Sequence, residues 1–167
     1  MALLDLNSGG AVPRPSVLAL ALVILSTTAV VTAKDMALIS NKSNHVQAMA
    51  MPDLIKICRG QTNRWADGKP VSFITRDPAA PDMRLVLDKI YAMPKDQLKA
   101  LIDSANHGRT DHPAILVLDS DEAVVKKVES TPGAVGLVDV YSISSGVTIL
   151  RLGSKLPLEP GYPLHGN

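Results

Sequence analysis

Short runs of β-branched and aliphatic residues alternate with segments whose apolar residues recur at helical spacing, and this alternation constrains the fold most. Val71-Ser72-Phe73-Ile74-Thr75, Ala114-Ile115-Leu116-Val117-Leu118 and Ala134 to Val140 each read as strands. Between the first two, Met83, Val86, Leu87, Ile90 and Tyr91 recur at three- and four-residue steps and mark one face of a helix. Pro94 interrupts that face, and Leu98, Leu101, Ile102 and Ala105 open a second one. Strands separated by helices imply an α/β fold with a largely parallel sheet flanked by helices.

The remaining elements follow from local signals. Ala37-Leu38-Ile39-Ser40 reads as a first strand, followed by the polar loop Asn41 to Asn44. Pro52 in a first turn, Leu54, Ile57 and Cys58 inward, and Gly60 past the end describe a short helix. The continuous apolar run Ala114–Leu118 predicts a strand buried on both faces. Asp119 with Glu122 three residues on reads as a capping-box start for the helix carrying Val124, Val125 and Val128, which Pro132-Gly133 ends. Val147 to Leu152 reads as a last strand.

Residues 1–33 read as an address rather than part of the fold. Val17 to Val31 is an apolar run after a weakly basic start containing Arg14, and Val31-Thr32-Ala33 supplies the small residues of a cleavage site. The run is shorter than the ~20 apolar residues a bilayer span needs. The expected organisation is a signal peptide over 1–33, a domain over 34–153, and a flexible Pro/Gly-rich tail over 154–167. Export to the periplasm or another extracytoplasmic space follows.

Composition excludes several functions. Seventeen basic and 16 acidic side chains leave a formal net charge of +1, so there is no electrostatic footprint for nucleic acid. With one Phe, one Trp and three Tyr, the core is aliphatic and stacking platforms for bases or sugars are scarce. Cys58 is the only cysteine, which rules out an intramolecular disulfide, and its spacing makes it a small buried hydrophobe. No nucleophile, base and orienting group assemble in the sequence, so no enzyme is expected. His107 and His112, with Asp103 and Asp111 nearby, fit no zinc spacing. No metal and no cofactor is expected.

Four segments in order carry a family resemblance. Ile39-Ser40-Asn41-Lys42-Ser43-Asn44, Leu54 through Trp65-Ala66-Asp67-Gly68, Met93 to Leu98 with Gly108, and Ser130-Thr131-Pro132-Gly133-Ala134-Val135-Gly136-Leu137-Val138-Asp139 resemble the phosphate ABC-transporter substrate-binding proteins. The resemblance implies one lobe of a periplasmic-binding-protein-like fold and an exported, non-catalytic binder of a phosphate-type oxyanion, working with an ABC permease. The chain departs from that family at the anion cradle. Where the family has an Arg followed by Gly-Ser-Gly-Thr at a helix N-terminus, this chain reads Arg76-Asp77-Pro78-Ala79-Ala80-Pro81-Asp82-Met83-Arg84. Arg76 and Arg84 keep comparable places, but both hydroxyls are gone, Pro81 removes an N–H, and Asp82 adds a negative charge.

The candidate ligand-binding residues are therefore Arg76, Asp77, Asp82 and Arg84, at the strand end where open α/β sheets take ligands. The competing local reading pairs Arg76 with Asp77 or Asp82 and leaves Arg84 solvated. Ser120-Asp121-Glu122 is read as a helix start and Trp65 as a plug over the sheet edge. An alternative function is a one-lobe interaction or sensory module that has lost its anion site and contacts a membrane sensor or another membrane partner.

Overall fold

The structure, a computed structural model, describes residues 34–166. The apolar segment and cleavage position assigned to 1–33 lie outside the described residues. The elements in chain order are β1 (Met36–Asn41), β2 (Ala48–Met49), α1 (Met51–Cys58), β3 (Ser72–Arg76), a 3-10 turn (Pro81–Met83), α2 (Arg84–Val86), a π turn (Leu87–Tyr91) and α3 (Lys95–Asn106). They continue with β4 (Ile115–Leu118), α4 (Asp121–Ser130), β5 (Ala134–Asp139), a 3-10 turn (Val140–Ser142), β6 (Val147–Ile149) and β7 (Arg151–Leu152).

Five strands form one sheet in the order β4-β3-β5-β1-β6. β3 pairs parallel with both β4 and β5, as two helical crossovers require. β1 runs antiparallel to β5 and to β6, so four of the five strands share a direction and only β1 is reversed. The sheet is largely parallel, as its alternating pattern predicts. β2 and β7 form a separate parallel pair.

Period-two alternation divides the side chains of the central strands between two cores. Met36 and Leu38 of β1, Phe73 of β3, and Val135 and Leu137 of β5 enter the larger core, with Leu54, Ile57 and Cys58 of α1 and Val86, Ile90 and Tyr91 beyond β3. Ile39, Ile74, Ala134 and Val138 face the other way, onto Val124, Val125 and Val128 of α4. The sheet is therefore sandwiched between helices, and its central strands are largely buried, with Ser40, Asn41, Ser72 and Thr75 among the buried side chains.

Several sequence expectations need correction. The apolar run Ala114–Leu118 forms an edge strand rather than a strand buried on both faces: Val117 is exposed, and Leu116 and Leu118 are half-buried. The amide of Asn106 takes the place of a partner strand there, donating to Ile115 O at 2.8 Å and accepting from Ile115 N at 2.9 Å. The stretch Val147–Leu152 is split, because at Leu150 the chain leaves β1 (Leu150 N to Leu38 O, 2.8 Å) and turns to Gln47 (Arg151 N to Gln47 O, 3.0 Å). The helical face of Met83 to Tyr91 is built from 3-10, α and π turns in succession. Ser120, not Asp119, caps α4, its hydroxyl accepting from Ala123 N at 3.1 Å.

The expected flexible tail packs against the domain. Tyr162 and Leu164 are buried in the larger core, and Met36 N donates to Leu164 O at 3.1 Å. Gly and Pro suppress helix and strand here, yet two alternate apolar side chains suffice to seat the segment. The packed unit thus runs on past residue 153.

Candidate functional site

The C-terminal ends of β3, β4 and β5 converge at one end of the sheet, and β1 enters beside them because it runs the other way. Arg76 is the last residue of β3, Asp139 the last of β5, Asp121 opens α4 just after β4, and Lys34 precedes β1. Their side chains form one ion cluster. Arg76 Nη1 lies 2.5 Å from Asp82 Oδ2 and 3.6 Å from Asp121 Oδ2. Lys34 Nζ lies 3.3 Å from Asp139, 3.7 Å from Asp82 and 3.9 Å from Asp121. Three carboxylates therefore enclose two cations.

Burial leaves these pairs less screened than surface ion pairs but adds a desolvation cost. The Arg76 side chain is 19% exposed and that of Asp121 only 7%. The Arg76 hydrogen bond holds the Asp82 carboxyl below its ordinary range, and Arg76 is correspondingly raised. Asp121 is pushed the other way, upward, because its desolvation outweighs the attraction of Arg76 and Lys34. Arg76 Nε and the neighbouring Thr75 Oγ1 are buried and have no hydrogen-bond partner among the described residues.

The four sequence-derived site residues separate here. Arg76 and Asp82 are brought together. Asp77 is occupied with its own turn, Oδ1 accepting from Ala79 N at 2.9 Å and its carbonyl from Ala80 N at 3.0 Å. Arg84 is exposed and pairs one helical turn on with Asp88 at 3.4 Å, outside the cluster. Lys34, Asp121 and Asp139 were not singled out as ligands by sequence. The available signal was Asp139 at the end of the Ala134–Val140 strand run, beside the end of β3.

The loop resembling the family's strand-and-loop segment has a structural task. Asn41 donates to Val128 O at 2.9 Å and Glu129 O at 2.7 Å, capping the end of α4. Asn44 donates to Ser40 Oγ at 2.8 Å and Ala134 O at 3.0 Å, and accepts from Gly133 N at 2.9 Å. Trp65 closes the same turn from the other side, its Nε1 donating to Gly133 O at 2.8 Å.

The cluster is built to hold charge, with donors on Arg76 and Lys34 and acceptors on three Asp residues. No family profile and no curated protein matches the sequence. Solved structures do match the fold. An ABC-type phosphate transport receptor from Vibrio cholerae aligns with a TM-score of 0.59 at 17% identity, over 76% of this chain and 49% of the receptor. The chain shares that fold over about half of the receptor's length. PstS from Borrelia burgdorferi aligns with a TM-score of 0.53 at 20% identity, over 75% of this chain and 50% of that protein. A phosphate-binding protein from Stenotrophomonas maltophilia aligns with a TM-score of 0.55 at 13% identity, covering 75% and 41%. The chain spans about half the length of the proteins it matches.

Proposed function

We propose that the chain is an exported, non-catalytic binding domain of the phosphate-receptor type, acting as an accessory of an ABC uptake system rather than as a self-sufficient phosphate receptor. The observation that carries this reading is the engagement of Arg76 by Asp82 and Asp121. An oxyanion would have to displace a carboxylate already hydrogen-bonded to the guanidinium, in a cluster where carboxylates outnumber cations. With Arg76 already hydrogen-bonded to Asp82 at 2.5 Å, an oxyanion gains little net charge pairing, which supports affinity no better than millimolar, about −4.1 kcal/mol.

Calorimetric titration of inorganic phosphate in about 0.15 M salt tests it. The unaltered protein should give no micromolar isotherm, whereas Asp82→Asn, which frees Arg76, should bind more tightly and lose that gain when combined with Arg76→Ala. A micromolar isotherm from the unaltered protein would overturn the proposal. Export with removal of residues 1–33 belongs to the same reading, and N-terminal sequencing of the secreted protein, expected to begin at Lys34, checks it.

A second reading, a one-lobe interaction or sensory module touching a membrane partner, draws support from Tyr141. This side chain is 86% exposed, two residues past Asp139 at the same end of the sheet. Partner binding that persists at saturating phosphate and fails in Tyr141→Ala would favour it.

A further inference from the structure

At the opposite end of the sheet, where β3 and β4 begin, lies an open groove of about 600 Å³. It is lined by the end of α1, the segment that follows it, and the end of α3, with Arg59, Gln61, Asn63, Ser104, His107 and Arg109 supplying the polar groups. Among the described residues, no carboxylate lines it. We infer that this groove docks an extended acidic peptide segment of a partner protein, with Arg59 and Arg109 pairing two of its carboxylates. The inference concerns a different end of the molecule from the Arg76 cluster and stands independently of phosphate binding there.

Two features support it. First, both guanidiniums are held by neutral acceptors. Arg59 donates to Tyr91 O, Arg109 donates to Asn63 Oδ1, and among the described residues neither lies within ion-pair distance of an Asp or Glu. Among these residues Arg59 Nε is buried without a hydrogen-bond partner, and neither guanidinium carries a compensating charge, the state that favours charge-assisted pairing of their outer nitrogens with an incoming carboxylate. Helix ends alone do not account for these cations. The last carbonyls of α1 are already satisfied by its own cap, Gly60 N to Ile57 O at 2.9 Å and Gln61 N to Lys56 O at 2.8 Å.

Second, the groove is open and spread across two elements. A small anion gains affinity from enclosure, which this site does not provide. An extended chain needs length, amide partners for its backbone and charges spaced along it. Gln61 and Asn63 offer amides at the rim, and both are exposed. Gly60 lets the segment after α1 lie close against α3 beneath the groove, since a Cβ there would meet Ala105 Cβ at 2.6 Å.

Fluorescence anisotropy of a labelled hexaglutamate peptide titrated with the full-length chain tests this, with hexalysine as the control. In about 0.02 M salt, hexaglutamate should bind saturably and hexalysine should not, and binding should weaken about tenfold in 0.15 M salt. Arg109→Gln, in an exposed loop, should weaken binding about fivefold or more, and Arg59→Gln should do the same if the fold, followed by circular dichroism, is retained. Arg76→Ala should leave it unchanged. Absence of hexaglutamate binding, or binding insensitive to Arg109→Gln, would overturn the inference. So would complete displacement by millimolar inorganic phosphate at matched ionic strength, which would mark a small-anion site instead.

Discussion

Replacing Gly133 by alanine adds one methyl group at the turn joining α4 to β5. The residue has φ +86, and the new Cβ would lie 2.1 Å from the carbonyl oxygen of Pro70, well inside the 3.0 Å that real Cβ atoms respect. That carbonyl sits just ahead of β3, so it has to retreat by about 1 Å, away from the Ser72–Ala134 pairing next to it. Two hydrogen bonds converge on Gly133 itself, from Trp65 Nε1 to its carbonyl and from its N–H to Asn44 Oδ1. A left-handed backbone costs an L-residue about 1–2 kcal/mol, and two weakened buried hydrogen bonds add about 1 kcal/mol each. The total is roughly 3–4 kcal/mol. Gly153 provides the control: its φ is +63 and a Cβ there meets nothing within 4 Å, so Gly153→Ala carries only the backbone term. Thermal and urea unfolding followed by circular dichroism should show Gly133→Ala melting about 10 °C or more below the parent and Gly153→Ala only a few degrees below it. Equal shifts for the two variants would refute the close packing of Pro70 against this turn.

Three further outcomes are expected. Asn44→Leu removes the acceptor and both donors that tie Ser40, Gly133 and Ala134 together, and urea unfolding should show a loss of about 3 kcal/mol or more. Asp82 is depressed by its bond to Arg76, so it contributes stability above its ordinary value of about 3.9 and loses it as pH falls through the lower folded value; Asp82→Asn should flatten the acid limb of stability against pH below about pH 4. Cys58 is buried and its thiol is pushed up by desolvation, so Ellman's reagent should find no reactive thiol in the native protein and one in urea.

Periodicity made most elements legible, because the physical cause of each lies within the segment itself. α1 ends at Cys58 with Gly60 at φ +68, and β3, α3, β4, α4 and β5 appear where their apolar patterns place them. Features set by distant partners were not legible. Strand direction leaves no local mark, so the reversal of β1 could not be read from Ala37–Ser40. An apolar run suits an edge strand as well as a central one when a side chain such as Asn106 covers its backbone. In the tail, only Tyr162 and Leu164, two positions apart, betray the packed segment. In the candidate site, the local pair of Arg76 and Asp82 was accessible because six residues separate them. The arrival of Lys34, Asp121 and Asp139 depends on where three strand ends meet, which no window of sequence contains.

The loop after β3 can be understood through the charge of Arg76. A guanidinium that is largely shielded from water is costly unless a negative partner accompanies it. Here Ala79, Ala80 and Pro81 supply neither hydroxyls nor, at Pro81, an N–H, while Asp82 lies 2.5 Å from the guanidinium. The scarcity of donors in this loop and the presence of a carboxylate are thus two sides of one electrostatic requirement. Arg76 is neutralised from within the chain, and Asp121 and Asp139 extend the arrangement to Lys34. Removing Asp82 alone would leave Arg76 with Asp121 at 3.6 Å, a longer contact to a carboxyl whose own ionisation is opposed by burial. The strongest competitor of an external oxyanion is therefore Asp82, and changing it discriminates between a disabled receptor and a surface with another use.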